Sequence, residues 1–369
     1  MLPTVCAALI VRDEERFLDD CLKSIAGEVD DLVIVDTGST DRTVEIARAY
    51  GARIFHHPWT GDFAAARNAA LDHASGDWIL YIDADERLRV IAPGDLRRAL
   101  DRPEAVAGLV AFQPRVGYTP YHEIRLFRRD PRIRFRSAIH ETVHPAIREV
   151  AASDGLRIVE LAVALDHVGY EGDIRHKYVR NLPILREALR RTPERIFLWI
   201  DTAQALAGLG RRDEAEAVAW RAIDRAVHSA DAKQRADATL AWQCLVDLHL
   251  GGERKLLAVE LARRAHTLYP THHGLALALA NALFENGFAH EALPMCDDLL
   301  AIDAETFVDP LTAYDKRLFG AWPAALKGAA LLRLGRRAEA ADAFAVASGY
   351  APQDPGLRAK AIALRGPKA

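Results

Sequence analysis

Ser75-Gly-Asp-Trp-Ile-Leu-Tyr-Ile-Asp-Ala-Asp-Glu-Arg87 is a short apolar run followed at once by two carboxylates, Asp83 and Asp85. The run Trp78–Ile82 has the composition of a buried β-strand. Side chains two residues apart on an extended backbone point the same way, so both carboxylates can face one ligand. Such oxygen ligands suit Mg²⁺ or Mn²⁺, which commonly bind through one or two carboxylates and the phosphates of a substrate. The alternative is a strand end with solvated acids.

The composition of the 369-residue chain is that of an ordinary globular protein, and its length predicts two domains. The 48 basic side chains nearly balance the 52 acidic ones, so nucleic acid is not expected as a partner. The apolar run Val5–Val11 is too short to span a bilayer, so no integral membrane segment is expected. Four cysteines lie far apart without disulfide or metal spacing, which favours a cytoplasmic protein.

Short apolar runs alternate with helix-like segments in the first 82 residues, the pattern of an open, mainly parallel sheet. The predicted strands are Val5–Val11, Leu32–Val35, Arg53–His56 and Trp78–Ile82, and the predicted helices are Glu14–Ala26, Asp41–Tyr50 and Phe63–Ala74. Such sheets bind ligands beyond the carboxyl ends of their strands. Three of these ends carry acids, which are Asp13 with Glu14, Asp36, and Asp83 with Asp85. This clustering predicts a nucleotide-binding site.

The pattern changes after about residue 120. Apolar residues and arginines surround the turn Asp130–Pro131 in the segment Ile124–Phe135, which predicts a β-hairpin. Because runs of charge are mostly surface, its arginines are expected on a solvated strand face, and contact of one or two with a diphosphate is the alternative. These arginines are Arg125, Arg128, Arg129, Arg132, Arg134 and Arg136.

The second half of the chain is rich in alanine, leucine and arginine, and it repeats. A glycine followed by alanine five positions later, and by alanine or leucine after seven more, recurs with the period of a tetratricopeptide repeat, about 34 residues. The predicted repeats are Ile196–Ser229, Thr239–His272, His273–Thr306 and Ala321–Gln353. We therefore predict an N-terminal domain over residues 1–172, a connecting helix over 173–195 and a helical repeat domain over 196–369. An alanine-rich bundle without repeats is the alternative.

Four motifs in the first 170 residues resemble, in order and spacing, those of the inverting family 2 glycosyltransferases of the GT-A fold. They are Asp13-Glu14-Glu15, Val35-Asp-Thr-Gly-Ser-Thr-Asp41, Ala66-Arg67-Asn68 and Asp83-Ala84-Asp85-Glu86. Three later segments and the repeats resemble the tetratricopeptide-bearing members that include peptide S-glycosyltransferases, the segments being Arg125–Arg128, Ile139–Glu141 and Asp166–Tyr170. The resemblance implies a Rossmann-like mixed α/β sheet of the GT-A type followed by an all-α solenoid.

A UDP-sugar donor suggests roles for several acids of the N-terminal sheet. Asp36 is expected to accept the N3–H of uracil, with backbone groups at or near Val11 beside the same ring. Glu14 is expected at the ribose or the acceptor, and Asp83 at the ribose or at a metal-bound water. The resemblance implies that Arg67 faces the nucleotide. Helix capping is the alternative for Asp36 and Glu14, and a surface salt bridge is the alternative for Arg67.

Asp85 is the expected direct ligand of the metal, which would stabilise the departing diphosphate. His167 resembles the histidine with which GT-A enzymes complete the coordination, and His140 is the reserve candidate. Glu141 stands where the family often has the catalytic base, although the family pattern ends in aspartate there. Pairing with a nearby arginine is the alternative for Glu141.

Together these expectations describe a glycosyltransferase that depends on Mn²⁺ or Mg²⁺ and moves a sugar from a UDP-sugar to an acceptor. Because helical repeats present concave surfaces suited to peptides, a peptide or protein acceptor is expected, with a glycan or lipid-linked acceptor as the alternative. A catalytically inactive scaffold that binds partners through its repeats and a sugar nucleotidyltransferase are the other classes considered. The sequence leaves a homo-oligomer open.

Overall fold

The structure is a computed structural model that describes residues 2–90, 92, 94–169, 175–229 and 232–365. The chain divides into two compact units. One comprises Met1–Gly172 with Asp309–Ala313, and the other comprises Asp173–Val308 with Tyr314–Ala369. The first is an α/β domain and the second is helical, which confirms the predicted fold class. Tyr170 of the Asp166–Tyr170 motif and the predicted boundary after residue 172 lie outside the described residues.

The first unit is built on a mixed eight-stranded sheet of order β3-β2-β1-β4-β7-β6-β8-β5. Strands β3, β2, β1 and β4 are parallel, whereas β7 runs antiparallel to β4 and β6, and β5 antiparallel to β8. In chain order the elements are β1 (Val5–Val11), α1 (Leu18–Ile25), β2 (Asp31–Asp36), α2 (Thr43–Ala49), β3 (Arg53–His56), α3 (Phe63–His73), β4 (Trp78–Tyr81), β5 (Glu86–Arg89), α4 (Asp95–Leu100), β6 (Ala105–Gln113), β7 (Tyr121–Arg128), α5 (His144–Asp154) and β8 (Arg157–His167).

Both faces of this sheet are buried, which explains the nearly continuous apolar strands. Alternate residues of β1 enter two hydrophobic clusters, Leu9 on one face and Ala8 on the other. Helix α1 covers the first face with Leu18 and Leu22, and α3 covers the second with residues that include Leu71. Because the faces are closed, polar ligands can approach the central strands only at their ends.

Helix α1 begins four residues later than predicted, because the preceding segment is held by the loop after β2 and by the first residue of α2. The backbone N–H of Glu14 donates to Thr43 Oγ1 over 2.7 Å, and Asp13 Oδ1 accepts from the N–H of Thr40 over 2.7 Å. Asp13 has a φ of 54°, in the left-handed region. The two loops that follow β1 and β2 therefore form one interlocked structure at the edge of the sheet.

The predicted hairpin over Ile124–Phe135 is wrong. Residues 124–128 lie inside β7, which pairs with β4 and β6. The segment 129–143, all of which the structure describes, contains only an isolated bridge between Arg136 and Thr142. Its apolar residues, including Phe135, pack onto one face of the sheet. The solvated-face prediction is also wrong for Arg125, whose side chain is buried.

The described residues of the second unit form helices that are joined by short turns, except for a longer irregular connection over residues 301–315. They are α6 (Arg175–Arg191), α7 (Ile196–Gly208), α8 (Arg212–Val227), α9 (Ala232–Leu250), α10 (Lys255–Leu268), α11 (His273–Glu285), α12 (Ala289–Leu300), a 3₁₀ turn (Lys316–Phe319), α13 (Ala321–Arg333), α14 (Arg337–Tyr350) and α15 (Pro355–Arg365). No helix in the described part of the chain is both long and apolar enough to cross a membrane.

Four helix pairs of the second unit coincide with the predicted repeats, although α9 begins at residue 232 instead of 239. Gly210, Gly287 and Gly335 connect the helices of three pairs with φ between 76° and 88°, a conformation that favours glycine. The small residues of the repeat frame are fully buried where helices pack closely, and they include Ala215, Ala222, Ala258, Ala265, Ala292, Ala340 and Ala347. The repeat period thus reflects helix packing.

Candidate active site

Strand pairing brings the Asp83–Asp85 segment to the end of β8. The strand β5 follows this segment directly and runs antiparallel to β8, with Glu86 opposite His167. Residues 82–85 form the tight connection between β4 and β5, in which the N–H of Glu86 donates to the carbonyl of Asp83 over 3.0 Å. Carboxylates and imidazole that are 82 residues apart in sequence therefore meet at the carboxyl end of β4.

Asp85 and His167 form the most direct contact of the site. Asp85 Oδ2 lies 2.9 Å from His167 Nε2, and His167 Nδ1 lies 2.9 Å from the carbonyl oxygen of Pro114. Burial lowers the pKa of His167, but the hydrogen bond and charge of Asp85, the carbonyl of Pro114 and the charge of Glu86 together outweigh burial, and the pKa is raised. With Nδ1 donating to Pro114, Nε2 of a neutral imidazole directs a lone pair toward the carboxylate. A proton or a cation is needed between these two groups.

The donor set fits a divalent cation that also has ligands from outside the protein. Asp85 supplies a carboxylate and His167 an imidazole whose second nitrogen is held by a carbonyl, the usual arrangement for metal-binding histidines. Within the described ranges no group of three or more His, Cys, Asp or Glu side chains has metal-binding geometry. Phosphate oxygens and water would therefore complete the coordination, as is common for Mg²⁺.

Arg67 joins the metal side of the site to the candidate base. Its NH2 donates to Asp83 Oδ1 over 2.8 Å and its Nε donates to Glu141 Oε1 over 2.7 Å. The guanidinium is buried near the rings of Tyr81 and Phe135. Burial lowers the pKa of Arg67, but Asp83 and Glu141 outweigh it and the pKa is raised. Arg67 is thus a buried bridge, not the surface salt bridge that the sequence left open.

Replacing Arg67 with methionine is expected to reduce the free energy of unfolding by about 3 kcal/mol, because two carboxylates lose their buried partner. This loss lies at the low end of the range for removing one partner of a buried ion pair, because the Asp83 side chain is 35% exposed. Urea denaturation in EDTA measures it. Arg134→Met is the matched control, since Arg134 pairs with the exposed Asp72 and should change stability by less than about 1 kcal/mol. Equal losses in both variants would contradict the bridging role.

The carboxylate of Asp83 is kept ionised by its neighbours. Burial raises its pKa, but the guanidiniums of Arg67 and Arg125 outweigh burial, so the pKa is lowered. Glu86 is buried and pairs with Arg125, its Oε1 accepting from the NH2 over 2.7 Å. Burial raises the pKa of Glu86 to about 7 despite this pair. The two guanidiniums thus favour a negative charge on Asp83.

Sequence reasoning missed the roles of Glu86 and Arg125. The residue Arg125 lies between apolar neighbours, Ile124 and Leu126, in the middle of a strand. A single arginine in an apolar strand indicates a buried partner, and this signal was available in the sequence. In the sequence, Glu86 stands out only as the last residue of the motif Asp83–Glu86.

Asp36 and Val11 are engaged within the loop that follows β2. Asp36 is buried, and its carboxylate accepts from the N–H groups of Gly38 and Ser39 over 3.2 and 3.0 Å. The carbonyl of Val11 accepts from both the N–H and the hydroxyl of Thr37, over 2.9 and 3.1 Å. The Asp36 carboxylate thus closes the loop after β2 and does not cap α2, which begins at Thr43. The contact of Asp36 with uracil stays a prediction, and a contact at Val11 would need a group other than its carbonyl.

Glu14 lies near the other acids of the site. Its pKa is raised to about 7, first by burial and then by the charges of Asp85 and Asp83. The reserve ligand His140 has left-handed backbone, with φ of 51°, next to Glu141. It is His167, not His140, that contacts Asp85. The predicted acids at the ends of β1 and β4 are thus brought together.

The raised pKa of Glu14 predicts a pH dependence of stability. The folded state holds this proton more tightly than the unfolded state, whose ordinary value is 4.5. The resulting stabilisation is present below that value and is lost as the pH rises through about 7. We expect the metal-free protein to lose thermal stability between about pH 5 and pH 8, and Glu14→Gln to lose less. Thermal unfolding across this range checks it, with the exposed Glu104→Gln as control. Identical pH profiles for Glu14→Gln and the unchanged protein would refute it.

Comparison with known proteins gives a family model and several curated relatives. The model of the family "Glycosyl transferase family 2" matches residues 6–153, which confirms the resemblance of the motifs. A TPR repeat-containing protein of Synechococcus elongatus is 47% identical over 145 residues, which cover 39% of this chain and 36% of that protein.

Several other relatives are named as glycosyltransferases, and two of them illustrate the similarity. The SPbeta prophage-derived glycosyltransferase SunS of Bacillus subtilis is 28% identical over 201 residues, covering 52% of this chain and 46% of SunS. The lipopolysaccharide core biosynthesis glycosyltransferase LpsC of Rhizobium meliloti is 35% identical over 157 residues, covering 38% of this chain and 56% of LpsC. The matches thus span roughly half or less of the length of these relatives.

Proposed function

We propose that the chain transfers a sugar from a UDP-sugar to a peptide or protein acceptor, a proposal supported by the match of the model "Glycosyl transferase family 2" to residues 6–153. The proposed reaction depends on Mn²⁺ or Mg²⁺ and inverts the anomeric carbon. The observation that carries the proposal is the contact of Asp85 Oδ2 with His167 Nε2, 2.9 Å apart at the acidic edge of the sheet.

Asp85 and His167 are the residues that would hold the cation. When bound, the cation would neutralise charge that develops on the leaving diphosphate. Asp83 is oriented by Arg67 at the same edge and is proposed to bind the ribose or a metal-bound water. Glu14, beside these acids, is proposed to contact the ribose or the acceptor.

Glu141 is the proposed general base. Arg67 holds Glu141 Oε1, which orients the second carboxylate oxygen. In the proposed step this carboxylate takes the proton of the acceptor as its nucleophile bonds to the anomeric carbon. The bond between that carbon and the diphosphate oxygen breaks, and UDP leaves. A base must lie within hydrogen-bond reach of its target. The hydrogen bond from Arg67 would hold Glu141 in place for this role.

The helical repeats are proposed to bind the acceptor. Solenoids of this type offer extended surfaces to peptides, which favours a peptide or protein over a free sugar. The name of LpsC refers to lipopolysaccharide. A glycan is therefore the alternative acceptor to be tested against a peptide. All four cysteines are free and buried, which supports a reducing compartment such as the cytoplasm.

A UDP-release screen tests the proposed function. Purified protein is incubated with a panel of UDP-, GDP- and dTDP-sugars, each with Mn²⁺, with Mg²⁺ or with EDTA. We expect UDP release from one or a few UDP-sugars, and only with a divalent cation. Release should be faster when a peptide is added as the acceptor than when a glycan is added. Turnover of GDP- or dTDP-sugars alone would contradict the role of Asp36. Pyrophosphate as product would indicate a nucleotidyltransferase, and no turnover with any donor would favour a scaffold.

A further inference from the structure

The turn that carries Asp83 and Asp85 is hydrogen-bonded to one buried side chain, that of Glu86. Glu86 Oε2 accepts the backbone N–H of Asp83 over 3.0 Å, while the N–H of Glu86 donates to the carbonyl of Asp83 over 3.0 Å. The two hydrogen bonds close the turn into a ring. The orientation of the Asp83 backbone therefore depends on where the Glu86 carboxylate lies.

The position of Glu86 depends in turn on Arg125. The NH2 of Arg125 donates to Glu86 Oε1 over 2.7 Å, and the Glu86 side chain is only 1% exposed. The guanidinium of Arg125 lies 4.7 Å from the ring centre of Tyr81 and 4.5 Å from that of Phe112, on the two strands that flank β7. This stacking between rings restricts the guanidinium to one plane.

Stability alone is a poor explanation for this pair. An apolar pair of similar volume is often as stable as a buried ion pair, because burial removes both charges from water. Within the part of the chain that the structure describes, the Nε of Arg125 is also buried without a hydrogen-bond partner. What an apolar pair cannot supply is the acceptor for the N–H of Asp83. The arrangement therefore favours a role in fixing the turn.

We propose that Glu86 and Arg125 are positioning residues, which hold the Asp83–Asp85 turn in the geometry that binds a divalent cation together with a nucleoside diphosphate. Both side chains are buried, so they would act through the turn and not by contact with the ligands. The inference rests on the proposed function, because it assigns the cation and the diphosphate to this edge of the sheet.

The test measures Mn²⁺ affinity apart from turnover. Free Mn²⁺ is followed by electron paramagnetic resonance during titration of the full chain at fixed UDP, and thermal unfolding is recorded in EDTA. The variants are Glu86→Gln and the double variant Glu86→Leu/Arg125→Met. In Glu86→Gln the side-chain NH2 replaces one of the two acceptor oxygens, so it faces either the NH2 of Arg125 or the N–H of Asp83. In the double variant both charges of the pair are removed together. The control is Arg128→Met, because Arg128 lies on the same strand but donates to the carbonyl of Ala105, over 2.7 Å.

We expect both test variants to bind Mn²⁺ about 10- to 100-fold more weakly than the unchanged protein, the usual effect of losing a residue that orients metal ligands. The double variant should unfold within a few degrees of the unchanged protein, whereas Arg128→Met should lose thermal stability and keep its Mn²⁺ affinity. Full Mn²⁺ affinity in the double variant would overturn the inference. If the double variant does not fold, full affinity in Glu86→Gln overturns it equally.

Failure of the inference can be distinguished from failure of the proposed function. If the unchanged protein does not bind Mn²⁺ in the presence of UDP, the proposed function falls, and the inference falls with it. If the unchanged protein binds Mn²⁺ and the variants bind it equally well, only the inference falls. Weakening in all three variants in proportion to their loss of thermal stability would assign the pair a purely structural role.

Discussion

Asp85→Asn is expected to lower kcat/KM for UDP release between about 10²- and 10³-fold at saturating Mn²⁺, the range for removing a group that stabilises charge in a transition state. The substitution keeps the size of the side chain but removes the anionic ligand. It also places an amide where Asp85 Oδ2 now lies 2.9 Å from His167 Nε2. Initial rates with the donor preferred in the screen provide the measurement.

A matched control separates this effect from a general loss of charge. Asp72 lies on α3 in the same unit, is exposed and pairs with Arg134 over 2.9 Å. Asp72→Asn should leave kcat/KM unchanged within about twofold, because an exposed pair contributes little. Wild-type rates in Asp85→Asn, or equal losses in both variants, would show that Asp85 does not hold the cation.

Gly169→Ala is expected to lower kcat/KM about 10²-fold, the effect of misplacing a reacting group by about 1 Å. A Cβ at position 169 would lie 1.9 Å from Asp85 Oδ2 and 2.7 Å from Asp85 Cγ. Because the backbone of Val168 is also bound to Asp85, with its N–H 2.9 Å from the Asp85 carbonyl, the carboxylate has to move away from His167. The loss should appear as a raised Mn²⁺ requirement in the UDP-release assay.

The Gly169→Ala variant should keep its fold, because rotation of the Asp85 side chain can relieve the contact. Gly349→Ala is the control for a glycine-to-alanine change, because a Cβ there has no atom within 4 Å. It should leave both activity and thermal stability unchanged or slightly improved. A Gly169→Ala protein with normal Mn²⁺ dependence would mean that Asp85 tolerates displacement and is not a direct ligand.

Local sequence signals were sufficient for the strands and helices of the first 82 residues. Strands such as β1 are apolar on both faces, and each helix ends near a glycine with a positive φ, for example Gly27 and Gly51. The acids after β1 and β4 were recognised because parallel strands put their carboxyl ends on one edge. The repeat frames were recognised because close helix packing admits only small residues at regular intervals.

The parts that sequence reasoning missed depend on contacts between distant segments. The pairing of β7 with both β4 and β6 explains why the segment around Arg125 is a central strand instead of a hairpin. The bridge from Arg67 to Glu141 joins residues 74 positions apart, and no local pattern indicates it. The need for glycine at position 169 likewise follows only from the approach of the chain to Asp85.

The most direct test of the account is a crystal structure of the protein with Mn²⁺ and UDP, with Mn²⁺ located by its anomalous scattering. We expect the anomalous peak to mark a Mn²⁺ ion bound by Asp85 Oδ2, His167 Nε2 and oxygens of the UDP diphosphate. Bound UDP without a peak at these two atoms, or a peak at another place in the chain, would contradict it.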